Sequence, residues 1–339
     1  MGMPASAITL ETDFGFEDYD ADDLAPGTVI DAMGAHWKLQ NSTLEGPTVT
    51  YDRKSEPGGC DDPAGTQPIN RYPVDIEDSP GVFFFGALIA GDVSQTADWD
   101  VVYCNSAAVT VRGSRKPVIR NIRVTRPWDG IRISETETGV SDDFLVERIW
   151  ISEGRDDCME NDKMLSGRVR DSLCESFAGI SMADNALTEH AETEAVFEKI
   201  LVRTLPYLYE GRTTSGGAFK HSRFHMNKRI YDSVLAMEAA PLCDPDSEDC
   251  YAGTPNRQWE NITDCRNNLF IWISDAPISD EVGVPPDCFE VVTGTRAGEA
   301  LWNAIKQNWI DCHPDMRRAS GDPIPDPQAC DTTFYGMRG

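Results

Sequence analysis

The chain has no apolar run approaching the roughly 18 residues that a membrane-spanning helix needs, and it is poor in positive charge. Lys and Arg together number 30 against 57 Asp and Glu, so the formal net charge is −27. Because a surface of this sign repels phosphate groups, we expect no nucleic acid partner, and we expect no membrane span. The sequence leaves the oligomeric state open.

The ten cysteines include no C-x-x-C pair, which argues against zinc ribbons and redox motifs. An even number of cysteines without that spacing favours disulfides, so we expect a secreted protein in an extracellular or periplasmic compartment. Cys243 and Cys250 are the first candidates for a bridge, and Cys312 and Cys330 are the second. Met1–Pro4 lacks the basic and apolar parts of a signal peptide, so we expect that such a peptide has been removed.

Short β-rich segments recur from about residue 107 onward. Each holds an apolar residue, then two or three polar residues, then apolar residues again, and equivalent positions are 24 to 35 residues apart. A repeat of this length predicts stacked structural units joined by loops of variable length. The positions taken as equivalent are Ile122, Ile149, Leu173, Ile200, Val234 and Leu269.

A second strand follows in three successive repeats. Side chains alternate between the two faces of a strand, and neighbouring strands lie about 4.8 Å apart. The outward side chains are therefore predicted to form one continuous row. The inward positions are Ile131, Met159 and Ile180, and the outward positions are Arg132, Glu160 and Ser181.

We divide the chain into three parts of one structural domain. Residues 1–106 are predicted to form an N-terminal cap and the first irregular turns, and residues 107–275 form the core. Residues 276–339 are predicted to hold a capping helix and an extended tail. Leu301 and Trp309, at positions i and i+8, lie on one face of this amphipathic helix, which we expect to close the C-terminal end.

The repeats resemble the right-handed parallel β-helix proteins of the pectin-lyase-like superfamily, which includes pectate lyases, alginate lyases and polygalacturonases. The resemblance covers about residues 100–275. It implies an all-β fold, a single-stranded right-handed parallel β-helix or solenoid, with an irregular N-terminal cap and a C-terminal amphipathic helix. It also implies an enzyme that acts on carbohydrate.

The most specific local match is to polygalacturonases, whose successive turns carry N-T-D-G, D-D-C and G-H-G-I-S elements. Here Asp129-Gly130-Ile131, Asp156-Asp157-Cys158 and Ala178-Gly179-Ile180-Ser181 stand in that order. Ala178 occupies the place of the histidine, and no R-I-K element follows.

The acidic segment around Asp156 and Asp157 supports two kinds of chemistry. A hydrolase needs a protonated carboxylic acid and a carboxylate, for which Asp129, Asp156 and Asp157 are the candidates. A lyase needs a base that removes the proton next to a uronate carboxyl group, while Ca²⁺ or a cationic side chain neutralises that carboxyl group. Because Ca²⁺ prefers oxygen ligands, Asp156, Asp157, Glu160 and Asp162 are the candidate ligands. A purely structural role also stays open, in which Glu160 pairs with Arg132 on the neighbouring strand.

Basic and aromatic residues gather between positions 207 and 225. Arg and Lys bind carboxylates, so this segment fits an acidic polysaccharide as the substrate. These charges could equally balance nearby acids. The candidates named for this patch are Tyr209, Arg212, Lys220, His221, Arg223 and His225.

Three functions remain in order of preference: a lyase that cleaves an acidic, uronate-containing polysaccharide by β-elimination, a polygalacturonase-like hydrolase, and a non-catalytic carbohydrate-binding β-helix. The missing histidine and the basic patch favour the lyase, and the D-G-I and D-D-C elements favour the hydrolase. The predicted catalytic residues are Lys220, Arg212, His221, Asp157 and Asp129. The predicted substrate-binding residues are Arg132, Lys163, Tyr209, Arg223 and His225.

Overall fold

The structure is a computed structural model, and it describes ten parts of the chain. For 183–184, 208–209, 212–214, 220 and 224–225 the description covers the backbone alone. The predicted bridge between Cys243 and Cys250 lies outside the described residues. The described parts are 6–39, 72–94, 107–184, 193–209, 212–214, 217–220, 224–238, 258–278, 280 and 282–332.

Within the described residues, eight short strands precede residue 107, and all of them belong to the same sheet as the later strands. The parallel pairing therefore begins at residue 7, well before the point at which the sequence pattern becomes readable. These strands are β1 (Ala7–Thr9), β2 (Asp13–Gly15), β3 (Tyr19–Asp22), β4 (Val29–Asp31), β5 (His36–Leu39), β6 (Val74–Glu77), β7 (Phe83–Phe85) and β8 (Leu88–Gly91).

Longer strands follow, and β12 and β13 are the longest. The strands of the middle region are β9 (Ala107–Arg112), β10 (Val118–Thr125), β11 (Asp129–Ser134), β12 (Phe144–Glu160), β13 (Gly167–Ser181), β14 (Ala183–Asp184) and β15 (Glu194–Thr204). The remaining elements are β16 (Tyr207–Tyr209), β17 (Arg212–Thr214), β18 (Gly217–Lys220), β19 (Phe224–His225), β20 (Asn227–Tyr231), β21 (Val234–Glu238), β22 (Ile262–Arg266), β23 (Asn268–Ile273), β24 (Phe289–Thr293) and the helix α1 (Thr295–Cys312).

Twenty strands form one sheet in which every pairing between named strands is parallel. The pairings define three ladders. Ladder A runs β1, β4, β7, β10, β12, β13, β15, β20, β22. Ladder B runs β2, β5, β8, β10, β12, β13, β15, β21, β23, β24. Ladder C runs β3, β6, β9, β11, β12, β13, β18. This mostly β architecture, with one long helix near its C-terminal end, agrees with the predicted all-β class and is compatible with a β-helix.

A row of residues in the left-handed backbone conformation separates ladder A from ladder B. Their φ angles lie between 47° and 55°, a region that Asn and Asp enter more easily than other residues with side chains. Because the row recurs once per repeat, it places a bend at the same point of every repeat, between the part that belongs to ladder A and the part that belongs to ladder B. Its members are Asn121, Arg148, Asp171, Lys199, Asp232 and Asn267.

The predicted equivalence of repeats is wrong by one residue in the middle of the chain. Leu173 pairs with Trp150 and Leu201, whereas Ile200 pairs with Ser172. Apolar side chains occupy both faces of these strands, so the apolar pattern alone does not fix the register. The pairings of Ile122 with Ile149 and of Val234 with Leu269 are as predicted.

The interior between the ladders is apolar, and it confirms the predicted inward row. Ile131, Met159 and Ile180 are buried in the main core and lie opposite one another on adjacent strands. Phe219, which lies opposite Ile180 on β18, is also fully buried.

Helix α1 covers the outer face of ladder B. Its buried residues Trp302, Ile305 and Trp309 pack in a second apolar cluster with side chains from five adjacent strands. Five of these strand residues, one from each strand, lie directly opposite one another. The helix is as predicted, but it lies against the side of the sheet, which differs from the end-closing position that we expected. The five strand residues, here called the apolar row, are Trp150, Leu173, Leu201, Val234 and Leu269.

Three disulfides lie within the described residues: Cys158–Cys174, Cys265–Cys288 and Cys312–Cys330. The last confirms the predicted attachment of the tail beyond α1. No helix in the described part of the chain combines the length and the apolar character that crossing a membrane requires.

Candidate functional site

Three aspartates converge on ladder C, and we call them the aspartate cluster. Asp129 begins β11, and Asp156 and Asp157 lie in the C-terminal part of β12. One carboxyl oxygen of each residue lies within 4.8 Å of those of the other two. All three residues are buried, and none is more than 4% exposed. The Asp157 N–H donates a hydrogen bond of 3.1 Å to Asp129 Oδ1.

The residues that follow these aspartates explain how they come together. A Cβ atom on Gly130 would lie 2.2 Å from Ile151 Cδ1 and 2.5 Å from the carbonyl oxygen of Cys158, so only glycine allows β11 and β12 to approach this closely. Cys158, directly after Asp157, is buried and is bonded to Cys174 on the next strand. The D-G and D-D-C elements of the sequence therefore have a local structural basis.

Arg132 contacts three groups at once: Asp129 of the cluster, and Glu160 and Tyr72 beside it. Its Nε donates to Glu160 Oε2, its Nη1 donates to Tyr72 Oη at 3.0 Å, and its Nη2 lies 3.8 Å from Asp129 Oδ2. Arg132 and Glu160 face each other directly in the register of β11 and β12. The predicted pairing of these two side chains is confirmed.

The carboxyl groups of this site differ in protonation. Burial raises the pKa of Asp129 well above its ordinary value, and the charges of Glu160, Asp156 and Asp157 raise it further. Burial would also raise the pKa of Glu160, but the charge and hydrogen bond of Arg132 outweigh it and bring that pKa to about 2. The pKa values of these two carboxyl groups therefore shift in opposite directions, so a proton is held more readily by Asp129 than by Glu160.

The predicted outward row continues from Arg132 through Glu160 to Ser181, each opposite the next. Ser181 Oγ donates to Asp162 Oδ1, which places the predicted ligand Asp162 at the edge of the site. Lys163, predicted to bind substrate, forms an ion pair with Glu135 at 3.2 Å, and its role in binding stays a prediction. Of the four predicted Ca²⁺ ligands, Asp156 and Asp157 belong to the aspartate cluster.

The structure places only the backbone of several predicted basic residues. Lys220 lies opposite Ser181, so it continues the row that contains Glu160 and Arg132. Arg212 pairs with Tyr209 in the antiparallel ladder of β16 and β17, and His225 pairs with Ala183. The side chains of these four predicted residues, and the whole of His221 and Arg223, lie outside the description.

Sequence reasoning missed Tyr72. This residue lies just before β6, whose Asp75 pairs with Thr110, and Thr110 in turn lies opposite Arg132. The register of ladder C would have identified Tyr72, but the strands before residue 107 are too short for their pairing to be read from the sequence. Arg155, the residue before Asp156, is fully buried, and its guanidinium lies 5.4 Å from the ring centroid of Tyr207.

No family model matches this chain, and neither a curated protein nor a solved structure shows significant similarity to it. The function therefore has to be argued from the geometry of the site.

Proposed function

We propose that the protein is a glycoside hydrolase that cleaves a polysaccharide at the aspartate cluster. The observation that carries the proposal is the convergence of Asp129, whose pKa is raised by burial, with the carboxyl groups of Asp156 and Asp157. Hydrolysis of a glycosidic bond needs such a pair, because one carboxyl group protonates the leaving oxygen and the other activates water.

Each residue of the cluster has one role in this proposal. Asp129 donates its proton to the glycosidic oxygen as the bond from that oxygen to the anomeric carbon breaks. A water molecule attacks the anomeric carbon and gives its proton to the carboxylate of Asp156 or Asp157. Asp156 or Asp157 then releases that proton to solvent, and Asp129 takes up a proton from solvent, so both groups return to their starting forms.

We further propose that the fold is a right-handed parallel β-helix of the pectin-lyase-like type. The three parallel ladders support it, because each strand pairs with a strand one repeat away along the chain. The right-handed sense is supported by the general preference of parallel crossover connections. The three disulfides support a secreted location, since such bonds persist in oxidising compartments.

A second candidate is the predicted lyase acting on an acidic polysaccharide. The backbone position of Lys220, in the same row as Glu160 and Ser181, favours it, because a lysine there stands two strands from Glu160. In a lyase the carboxyl oxygens of Asp129, Asp156 and Asp157 fit a Ca²⁺ ion, which prefers oxygen ligands. Such an ion would neutralise the uronate carboxyl group of the substrate.

Incubation with pectate, alginate, glucuronan and ulvan tests both candidates, with Ca²⁺ or with a chelator. The hydrolase produces new reducing ends without ultraviolet absorbance, whereas a lyase produces an unsaturated product that absorbs. Asp129→Asn should lower the rate of hydrolysis by about 10²- to 10⁴-fold, the usual contribution of a general acid. Asp143→Asn, which changes an exposed carboxyl group, is the matched control and should retain the wild-type rate.

Each outcome has a defined meaning. Ultraviolet absorbance that a chelator abolishes would contradict the proposal of a hydrolase and support the lyase. Binding of these polymers without any cleavage would leave the third reading, a carbohydrate-binding protein. Full hydrolysis by Asp129→Asn would remove this residue from the mechanism.

A further inference from the structure

We propose that the outer face of ladder A is an interface through which two copies of this chain form a twofold-symmetric dimer. The observation that carries the proposal is the order of charged side chains along eight adjacent strands. The aspartate cluster lies on ladder C, so the dimer does not depend on the proposed hydrolase function.

One outward side chain from each of eight adjacent strands of ladder A lies in a single row, which we call the charge row. From β4 to β22 the side chains follow the order acid, aromatic, base, acid, base, acid, aromatic, base. Side chains alternate between the two faces of a strand, and the residues directly before them, such as Ile119, Val146 and Phe197, are buried in the main core. The members of the charge row are Asp31, Phe85, Arg120, Glu147, Arg170, Glu198, Tyr231 and Arg266.

This order is complementary to itself when it is read in reverse. A twofold axis parallel to the strands, placed between β12 and β13, brings the row of one copy against the same row of the second copy in the opposite order. Sheets that pack face to face lie about 10 Å apart, a distance that facing arginine and glutamate side chains bridge together. Every charge of the row then meets the opposite charge, as a self-complementary interface requires. The facing pairs between the two copies are Arg120 and Glu198, Glu147 and Arg170, Asp31 and Arg266, and Phe85 and Tyr231.

The contacts within one chain leave exposed surface on the charges that face each other across this axis. The Arg120 side chain is 39% exposed, and its Nε lies 3.8 Å from Glu147 Oε2, which is a long ion pair. The Glu198 side chain is 31% exposed and lies 3.2 Å from Arg168. Glu147 also contacts Arg170 at 2.8 Å, so in the dimer the glutamate and the arginine of both copies form one network around the axis.

A second row, two positions earlier in each strand, adds apolar surface beside the charge row, and we call it the flanking row. The same axis places Val118 against Val196 of the second copy and Phe83 against the guanidinium of Arg229, a favourable contact for an aromatic ring. Removal of this partly exposed apolar surface from water contributes to affinity, while the charges fix the register. The members of the flanking row are Val29, Phe83, Val118, Leu145, Arg168, Val196, Arg229 and Asp264.

The charge of this face also suits a second copy. The chain has a formal net charge of −27, so two copies repel each other in general. The charge row and the flanking row together hold five arginines and four carboxyl groups, so these two rows are nearly neutral. At physiological ionic strength, repulsion between exposed charges is screened beyond about 8 Å, whereas facing charges in contact are screened much less.

The test is the oligomeric state of the whole chain, measured by analytical ultracentrifugation over a range of concentrations at about 0.15 M salt. The wild type should form a dimer. Arg120→Glu and Glu198→Arg should each raise the dissociation constant about tenfold or more, because each change places like charges opposite each other twice in the symmetric interface. The double variant that carries both changes should regain most of the wild-type affinity. Glu290→Arg, which reverses an exposed charge on β24, is the matched control and should leave the dimer unchanged.

Recovery in the double variant identifies contact between copies. Within one chain, Arg120 and Glu198 lie three strand spacings apart, about 14 Å, so they cannot pair with each other there. A wild type that stays a monomer at every concentration would overturn the proposal, and so would a double variant as weak as the single ones. Thermal unfolding identifies any variant that fails to fold. Arg120→Gln then takes its place and should weaken the dimer by a smaller factor, since it removes the attraction without adding repulsion.

The chain itself supplies the alternative occupant of this face. Thr332 lines a cavity of about 590 Å³ together with Glu147, Arg170 and Glu198, and residues 333–339 follow it. Deletion of residues 333–339 should leave the dimer intact. A wild type that is a monomer and becomes a dimer only after this deletion would overturn the proposal and assign the face to these residues.

Discussion

The outer face of ladder B and the outer face of ladder C are built partly from the same two strands, yet they carry opposite chemistry. On ladder B, β12 and β13 contribute Trp150 and Leu173 to the apolar row beneath α1. On ladder C, the same strands contribute Glu160 and Ser181 to a polar row beside the aspartate cluster. Parallel register aligns equivalent residues on both faces, so each face becomes uniform in character over several strands.

Burial has different consequences for the two faces. The apolar row gains stability when α1 removes it from water, at about 25 cal/mol per Å² of apolar surface. The aspartate cluster is buried as deeply, but there burial raises the pKa of Asp129 and brings like charges together. One face therefore stabilises the fold, and the other holds, at some expense of stability, the carboxyl groups that the proposed reaction uses.

The largest expected effect on stability comes from the helix-covered face. Trp309→Ala removes a fully buried ring that stacks on His313 with centroids 4.1 Å apart, so the free energy of unfolding should fall by about 3 to 5 kcal/mol. Denaturant unfolding measures this change. Trp309→Phe is the conservative control and should lose less. The rate of polysaccharide cleavage by the folded variant should equal that of wild type, and a lower rate would mean that the two faces are coupled.

Two disulfides of similar loop length should have equal effects on stability and different effects on activity. Cys158–Cys174 and Cys312–Cys330 close loops of 16 and 18 residues, so replacing either pair by alanine should cost about 3 kcal/mol. Only the first pair adjoins Asp157, and its loss should also lower kcat. Measuring unfolding and activity for both double variants checks this. Equal activities would show that the bridge next to Asp157 does not position the cluster.

The two faces should also respond to pH with opposite sign. Burial raises the pKa of Asp129 above its ordinary value of 3.8, so the folded chain keeps a proton that the unfolded chain releases, and stability falls as pH rises above about 3.8. Burial would raise the pKa of Asp171 as well, but hydrogen bonds from His313 and Trp309 lower it. Its contribution is present above 3.8 and is lost as pH falls through the lowered pKa.

Urea midpoints of wild type, Asp129→Asn and Asp171→Asn between pH 3 and 8 measure this contrast. Asp129→Asn should remove the alkaline loss, and Asp171→Asn should remove part of the acid loss. Identical pH curves for the two variants would contradict the proposed difference between the faces.

The smallest expected effect concerns the left-handed row between ladder A and ladder B. Lys199 adopts a φ of 54°, where lysine is less favourable than asparagine, which already occupies the row at Asn121 and Asn267. Lys199→Asn should raise the free energy of unfolding by about 0.5 kcal/mol, a fraction of the penalty for left-handed backbone. Lys199→Val should lower it by more than that. A stability unchanged in both variants would mean that the row carries no strain.

Strand alternation in the sequence was enough to predict the inward row of Ile131, Met159 and Ile180, and helical spacing was enough to predict α1. The contact between Glu160 and Arg132 also followed from the predicted register. These three predictions were correct because one face of each element is apolar and the other is polar, so the periodicity is visible in the sequence.

The other parts of the fold and of the site depend on contacts between residues far apart in the sequence, which the local pattern does not contain. Leu173 was taken as the equivalent of Ile149 and Ile200, but it pairs with Trp150 and Leu201 and packs with α1, a helix more than 120 residues further along the chain. The strands before residue 107, such as Phe83–Phe85, are too short to show alternation. The contact between Tyr72 and Arg132 could be predicted only if the register of four strands were known at once. Basic residues predicted as catalytic, among them Lys220, stay predictions.

The left-handed row also bears on how such a chain changes during evolution. Its residues keep their place in the register although the distance to the next member varies from 23 to 35 residues. Insertions between repeats are therefore absorbed without shifting any row on the sheet. Natural selection or a protein engineer can exchange whole loops at the rim of the site and so alter which ligand is recognised, while the aligned side chains of the framework are inherited intact.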